Sequence, residues 1–307
     1  MKEELKTKKK KRSLWHRLTW LGRLVVLVVV IAALSVALFV LFSGVLHERQ
    51  KEDLSHVQPV VVGYDDVKDD DANPTWYYNE SRDERYEEFA ALWPELSMED
   101  VIWMVEADLD KPPYENVREI LEPDSLTALV NKHFHLPEDY VPSDLENIGN
   151  SMLRADAAAA MRELINDASA EGHTLWVQSG FRSYSTQAGL YQQYSARDGT
   201  AIADTYSARA SHSEHQTGLA VDFNTISDAF GSTSEGRWAA ENSWRYGYIL
   251  RYTDENKEIT LYKSEPWHFR YVGREAASEM QALGITTYEE YWVKYIKNQP
   301  PAGDSLG

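Results

Sequence analysis

The sequence predicts an α+β domain carried behind a single membrane-spanning helix. Three observations lead there. A charge-free apolar run occupies Leu24 to Leu46 of the 307-residue chain. Beyond residue 76, stretches with helical and with strand periodicity follow one another without the regular rhythm of repeated βαβ units. No segment repeats another at a fixed period.

The elements follow in chain order. Residues 1–23 form a basic segment centred on Lys8-Lys9-Lys10-Lys11-Arg12. The run at 24–46 exceeds the about 20 apolar residues that cross a bilayer. It also exceeds the about 7–15 of a cleaved signal peptide, and no clear Ala-x-Ala site follows it. It therefore reads as an uncleaved single-pass anchor. The basic flank places the N-terminus in the cytoplasm and the body outside the cell. Residues 47–75 are polar and acidic, with Asp65-Asp66 and Asp69-Asp70-Asp71, and read as an extracytoplasmic spacer.

From Trp76 to Leu109 the pattern is aromatic and helical. Ser97-Met98-Glu99-Asp100 is a capped helix start, and Pro112-Pro113 closes the unit. Pro137 and Pro142 break Leu126 to Leu145 into loops and extended pieces. Met152 to Glu171 predicts a helix, with Leu153, Ala157, Met161, Leu164 and Ile165 on its apolar face and Gly172 at its stop. Leu175-Trp176-Val177 reads as a strand. Gly180 to Ser185 is a turn leading into a helix over Thr186 to Ala196. Leu219 to Phe223 alternates, so Leu219, Val221 and Phe223 face a core while Ala220 and Asp222 share the other face. A helix over Ser234 to Trp244, strands over Tyr248 to Arg251 and His268 to Val272, and a helix over Arg274 to Leu283 complete the domain. The tail, 296–307, is expected to be loose.

Composition narrows the function. Hydrophobic residues make up 43%, with ten Trp and eighteen Tyr, enough for a substantial core. The net charge of −18 conceals a division. Residues 1–23 hold nine Lys/Arg against two Asp/Glu, which leaves 22 basic and 47 acidic residues for the rest. A body that acidic repels phosphate backbones and argues against nucleic-acid partners. The absence of cysteine excludes disulfides, thiolate metal sites and a Cys nucleophile. It also leans toward an exported bacterial protein.

Two segments carry the chemistry. Ser211-His212-Ser213-Glu214-His215-Gln216-Thr217-Gly218-Leu219-Ala220-Val221-Asp222 and Glu265-Pro266-Trp267-His268 together offer His215, Asp222 and His268 as ligands. Two imidazoles and a carboxylate suit zinc and leave a fourth position open. A carboxylate beside such a site, here Glu265, is the equipment of a hydrolase. Gly218 allows the bend that brings a loop His and a strand Asp to one point. On spacing alone, His212 competes with His215. Competing catalytic classes lack their motifs: no Ser-x-x-Lys, no His-Glu-x-x-His, no Gly-x-Ser-x-Gly and no phosphate loop.

These residues carry a family resemblance. Ser213-x-His215-x-x-Gly218-x-Ala220-x-Asp222 followed by Glu265-Pro266-Trp267-His268 resembles the zinc D,D-carboxypeptidases of the VanY type, peptidase family M15, subfamily B. Supporting blocks occur in the same order: Leu129-Val130-Asn131-Lys132, Tyr140-Val141-Pro142-x-Asp144-Leu145, Ser179-Gly180-Phe181-Arg182-Ser183 and Tyr246-Gly247-Tyr248-Ile249-Leu250-Arg251-Tyr252. The similarity covers roughly residues 80 to 285. It implies a hedgehog/DD-peptidase-like zinc domain over 76–295, helical in its first part to about 125. It implies His215, Asp222 and His268 on one zinc ion and Glu265 as the base, and it decides against His212. It also implies Arg182 in the cleft, where it stabilises an oxyanion or grips the substrate's carboxylate, and Gln187 and Ser213 as carboxylate donors. Trp267 either walls the cleft or packs in the core. The sequence departs from the pattern at Leu261-Tyr262-Lys263-Ser264, where relatives often have a glycine and an aromatic, and at Ala210-Ser211-His212, where Pro-Gly is common.

The expected protein is a membrane-anchored, monomeric zinc D,D-carboxypeptidase that removes the C-terminal D-alanine of peptidoglycan stem peptides outside a bacterial cell. Two alternatives stand beside it: an L,D-carboxypeptidase acting on tetrapeptide stems, and a non-catalytic, zinc-stabilised wall-binding domain. A binding module has no need of Glu265.

Overall fold

A four-stranded antiparallel sheet organises the residues that the computed structural model describes, 77–297. The basic segment, the anchor at 24–46 and the spacer at 47–75 lie outside them. Among the described residues no helix is long and apolar enough to cross a membrane.

The chain enters through helices α1 (Asp83–Leu92) and α2 (Met98–Glu106). Ser97 caps α2 as its sequence predicts, its hydroxyl accepting from Asp100 N at 3.0 Å. Strands β1 (Arg118–Glu119) and β2 (Phe134–His135) pair in parallel, and β3 (Leu145–Ile148) forms a hairpin with β4 (Ser151–Arg154). The long helix α3 (Ala155–Ala170) follows, then β5 (Val177–Ser179), α4 (Tyr184–Asp198), α5 (Thr200–Ala203), β6 (Ala220–Phe223), α6 (Ser234–Asn242) and β7 (Tyr248–Leu250). Next come α7 (Lys257–Thr260), β8 (His268–Tyr271), α8 (Arg274–Leu283) and α9 (Tyr288–Tyr291). The strands lie in the order β5-β6-β8-β7, each antiparallel to its neighbour.

Alternation along the two central strands divides the sheet by chemistry. Val221 and Phe223 of β6 and Phe269 and Tyr271 of β8 enter the main core with Ala157, Met161 and Leu164 of α3 and Trp238 of α6. The intervening residues, Asp222 on β6 and His268 and Arg270 on β8, have the opposite phase. Asp222 is the direct cross-strand partner of His268. One face of the sheet thus holds the domain together while the other is free to carry polar side chains.

Most boundaries fall within two residues of the sequence reading, and three differences have a physical reason. The helix expected from Met152 begins at Ala155, because residues 151–154 complete the β3–β4 hairpin. Leu153 is fully buried as a strand residue, so its apolar character fitted the helical pattern by coincidence. The strand expected at 175–177 is β5, displaced toward Ser179, and Trp176 is 49% exposed at the sheet edge. Helical backbone continues past α9 through Ile296, and Lys297 donates to Glu106 on α2. The rest of the expected tail, 298–307, lies outside the described residues.

Candidate active site

Three segments deliver the ligand candidates. His215 stands in a single 3-10 turn, Glu214–Thr217, that ends at Gly218. Gly218 has φ 67°, and a Cβ there would come within 2.9 Å of Leu145 Cδ2. Glycine therefore serves both the left-handed backbone and the close approach of the β3–β4 hairpin. The chain then enters β6, where Asp222 faces His268 across the ladder. One donor atom from each of His215, Asp222 and His268 lies within 4.8 Å of the other two, and all three residues are buried.

The outer nitrogens of both imidazoles are already engaged. His215 Nδ1 lies 2.7 Å from the Gly180 carbonyl, so Nδ1 carries the proton and Nε2 presents its lone pair 3.3 Å from Asp222 Oδ2. His268 Nε2 lies 3.1 Å from Glu214 Oε2, which leaves Nδ1 facing Asp222 Oδ1 at 3.2 Å. The lone-pair nitrogens and the carboxylate converge, and each imidazole is oriented by an acceptor behind it, as metal-binding histidines commonly are. The residues present fit a zinc ion on this observation.

The electrostatics favour a cation at the same point. Burial opposes charge on Asp222, but His215 and His268 hold its carboxyl well below the usual range. Burial would likewise lower the pKa of His268, yet its contacts with Asp222 and Glu214 push it up to about 9. With carboxylates at both ring nitrogens, His268 has a site for positive charge at Nδ1, which either a proton or a metal can fill. His215 shifts downward, through burial first and the nearby Arg182 and His268 charges as well, outweighing Asp222.

A cavity of about 480 Å³ opens onto this cluster, lined also by Arg182, Gln187, Ser213, Glu265 and Trp267. Glu265 Oε2 is 3.9 Å from His268 Nδ1. Burial, reinforced by the negative charges of Asp222 and Glu214, pushes its pKa up to about 7 despite His268 and Arg182. Arg182 Nη2 lies 3.7 Å from Asp222 Oδ2 and 3.1 Å from Ser179 Oγ, while Nη1 donates to Gln187 Oε1 at 2.7 Å. Gln187 in turn donates to the Ala208 carbonyl at 2.6 Å and to Ser207 Oγ at 3.4 Å. Its amide is engaged at both ends, so Gln187 is placed to orient Arg182. Ser213 precedes the 3-10 turn without capping it with its hydroxyl. Trp267 packs against the core and lines the cavity as well. His212 belongs elsewhere: its Nδ1 meets the Asn131 carbonyl at 2.7 Å, and it is not among the three clustered donors.

Sequence reasoning missed the support beneath the ligands. Glu214 accepts from Arg251 Nε at 2.8 Å with Oε1, the oxygen not used by His268, and Arg270 Nη1 stands 3.5 Å away. Arg251 also donates to Glu289 on α9 at 2.6 and 3.1 Å, and Asn131 donates to the same carboxylate at 3.2 Å. Glu214, Glu289, Arg251 and Arg270 are each at most 3% exposed. Two acids and two bases balance, as buried charges require. Burial opposes ionisation of Glu214, but Arg251, His268 and Arg270 hold its carboxyl well below the ordinary range. The available signal was an arginine in the apolar run Tyr248-Ile249-Leu250-Arg251, which needs a buried acid as its partner.

The chain is similar to known proteins. Residues 150–274 match the family model VanY, D-alanyl-D-alanine carboxypeptidase. YodJ of Bacillus subtilis (strain 168), a carboxypeptidase by name, is 39% identical over 194 residues, covering 58% of this chain and 71% of that protein. A D-alanyl-D-alanine carboxypeptidase of Enterococcus faecalis is 37% identical over 176 residues, 53% of this chain and 64% of its own length. Among solved structures, the LdcB LD-carboxypeptidase is 38% identical with a TM-score of 0.55, covering 59% of this chain and 91% of that one.

Proposed function

Since the chain belongs to the VanY family of D-alanyl-D-alanine carboxypeptidases, we propose that it is a zinc D,D-carboxypeptidase that removes the C-terminal D-alanine from peptidoglycan stem peptides. One observation carries this reading: the three-donor cluster, Glu265 and Arg182 all line a single cavity. A wall-binding module would need the cluster for stability but would not need a largely buried carboxylate beside it.

His215, Asp222 and His268 would hold the zinc. When bound, zinc supplies Lewis acidity that acidifies a water and polarises a carbonyl. The chain's own groups do the rest. Arg182, fixed by Gln187 and Ser179, grips the terminal carboxylate of the peptide with its planar fork. Ser213 offers a hydroxyl to the same group. Glu265 takes the proton of the attacking water and passes it to the departing amine. Burial raises its pKa and so favours its holding the proton between the two halves of that transfer. Trp267 walls the cleft and limits the access of bulk water.

A second reading is supported by the likeness to LdcB: release of D-alanine from a tetrapeptide by cutting an L,D bond. The two differ in the configuration of the residue before the scissile bond. Equal concentrations of a pentapeptide and a tetrapeptide stem, presented separately to the protein, separate them. Faster alanine release from the pentapeptide supports the D,D assignment, and turnover of the tetrapeptide alone replaces it. For location, we propose the anchor at 24–46 with the enzyme on the outer side of the membrane, on the strength of the basic flank before it. Protease treatment of intact cells would digest the enzyme domain if this is right and spare it if the orientation is reversed.

A further inference from the structure

Among the buried ionisable side chains that the mechanism leaves unused is Lys132. Lys132 is 3% exposed, and its ammonium donates to two carbonyls from separate parts of the chain, Asp204 at 2.7 Å and Leu261 at 2.6 Å. The ring of Tyr262 lies 4.2 Å from Nζ and that of Tyr114 at 5.8 Å. The two phenols meet at 3.3 Å, so the ammonium sits against a pair of aromatic walls.

Both carbonyls belong to segments that lead into walls of the cavity. Leu261 opens the segment that runs through Tyr262, Lys263 and Ser264 to Glu265, and its φ of 60° is left-handed, a conformation a leucine adopts only when something holds it. Asp204 leads into Tyr206, Ser207 and Ala208, and Ala208 supplies the carbonyl that orients Gln187. Lys263 N donates to Thr205 O at 2.8 Å, a second tie between the same two segments. Preceding Lys132, Asn131 reaches Glu289 and so the support beneath His268.

We infer that Lys132 is a positioning residue, whose ammonium clamps the segment carrying Glu265 to the segment that orients Gln187 and Arg182. The inference rests on the reading of Glu265 as the base. An ammonium suits the task because it can donate to both carbonyls at once while the tyrosine faces offset the loss of water. Burial pulls its pKa down to about 8, with Arg209 acting in the same direction and Asp204 against it. Neutral Tyr114 and Tyr262 complete its surroundings, both phenols being raised by burial.

The test uses the full chain with Lys132→Met, which keeps the length and loses the donors, and Lys132→Gln, which keeps donors without charge. Zinc content, steady-state kinetics on a stem peptide and amide hydrogen exchange are measured for each. The expected result for Lys132→Met is a loss of at least tenfold in kcat and in kcat/KM together, with one zinc per chain retained. Faster exchange should be confined to 204–208 and 261–265, and Lys132→Gln should recover part of the rate. Turnover within twofold of the parent would overturn the inference, as would exchange that rises throughout the domain, since Lys132 would then support the fold at large. If the parent releases no alanine from any stem peptide, the proposed function fails, and the pattern of exchange still decides whether Lys132 is the clamp.

Discussion

Replacing Glu214 with glutamine probes the hidden support of the metal cluster. The carboxylate is 3% exposed and touches three cationic or cation-accepting groups: Arg251 at 2.8 Å, His268 at 3.1 Å and Arg270 at 3.5 Å. Glutamine retains an oxygen for His268 Nε2–H but removes the charge. Arg251 keeps Glu289, whereas Arg270 is left with backbone carbonyls alone, Tyr271 at 2.9 Å, Ala128 at 2.9 Å and Leu126 at 3.2 Å. Breaking a buried ion pair from one side costs about 3–5 kcal/mol. At this domain size about 2–4 °C of melting temperature accompanies each kcal/mol, so the variant should melt roughly 10 °C lower. With a neutral amide in place of the carboxylate behind His268, metal affinity should fall, by no more than the about 10–100-fold that losing such a group costs. Thermal melts of metal-free protein measure the first effect and chelator competition the second. A double replacement, Glu214→Gln with Arg270→Met, should be less destabilised than the sum of the two single changes, because it removes the stranded charge. Melting within 2 °C of the parent together with unchanged zinc affinity would refute the assignment of Glu214 as both charge partner and orienting group.

Further outcomes follow from other residues. Glu265→Gln should keep its zinc and lose at least about 100-fold in kcat, the scale of general acid–base catalysis; near-full turnover would show that the base is another group. Arg182→Ala should raise KM about 10–100-fold, as expected for a charged hydrogen bond to the terminal carboxylate, with its melting temperature little changed; unaltered KM would remove Arg182 from substrate binding. Burial holds the pKa of His212 down to about 4 from 6.5. Between those values the unfolded chain binds a proton that the folded chain refuses, so this residue costs stability as pH falls from 6.5 toward 4. Melting curves across that window should slope less steeply for His212→Phe than for the parent, and equal slopes would exclude His212 as a contributor.

How much of this was legible in the sequence depended on whether a residue's neighbours in space were also its neighbours in the chain. His215, Gly218 and Asp222 lie within one turn and the strand that follows it, so their spacing already implied convergence. His268 was brought to them by the match of its own short motif, and the ladder then places it opposite Asp222. Glu214 was passed over because an acid beside a histidine in a loop normally looks solvated. Only the β7 end, carrying Arg251, and the final helix, carrying Glu289, make it a buried charge. Gln187 reads in the sequence as a substrate donor, and what the sequence does not show is that its amide also meets Arg182 and Ala208. The start of α3 was misjudged for a local reason: Leu153 faces the core from a strand, in phase with the helix behind it.

The most direct measurement combines metal analysis with mass spectrometry of a synthetic pentapeptide stem. Protein carrying one zinc per chain should shorten the peptide by a single alanine, stop when the metal is chelated and resume when zinc is returned. Fully zinc-loaded, folded protein that leaves pentapeptide and tetrapeptide stems intact would contradict the account.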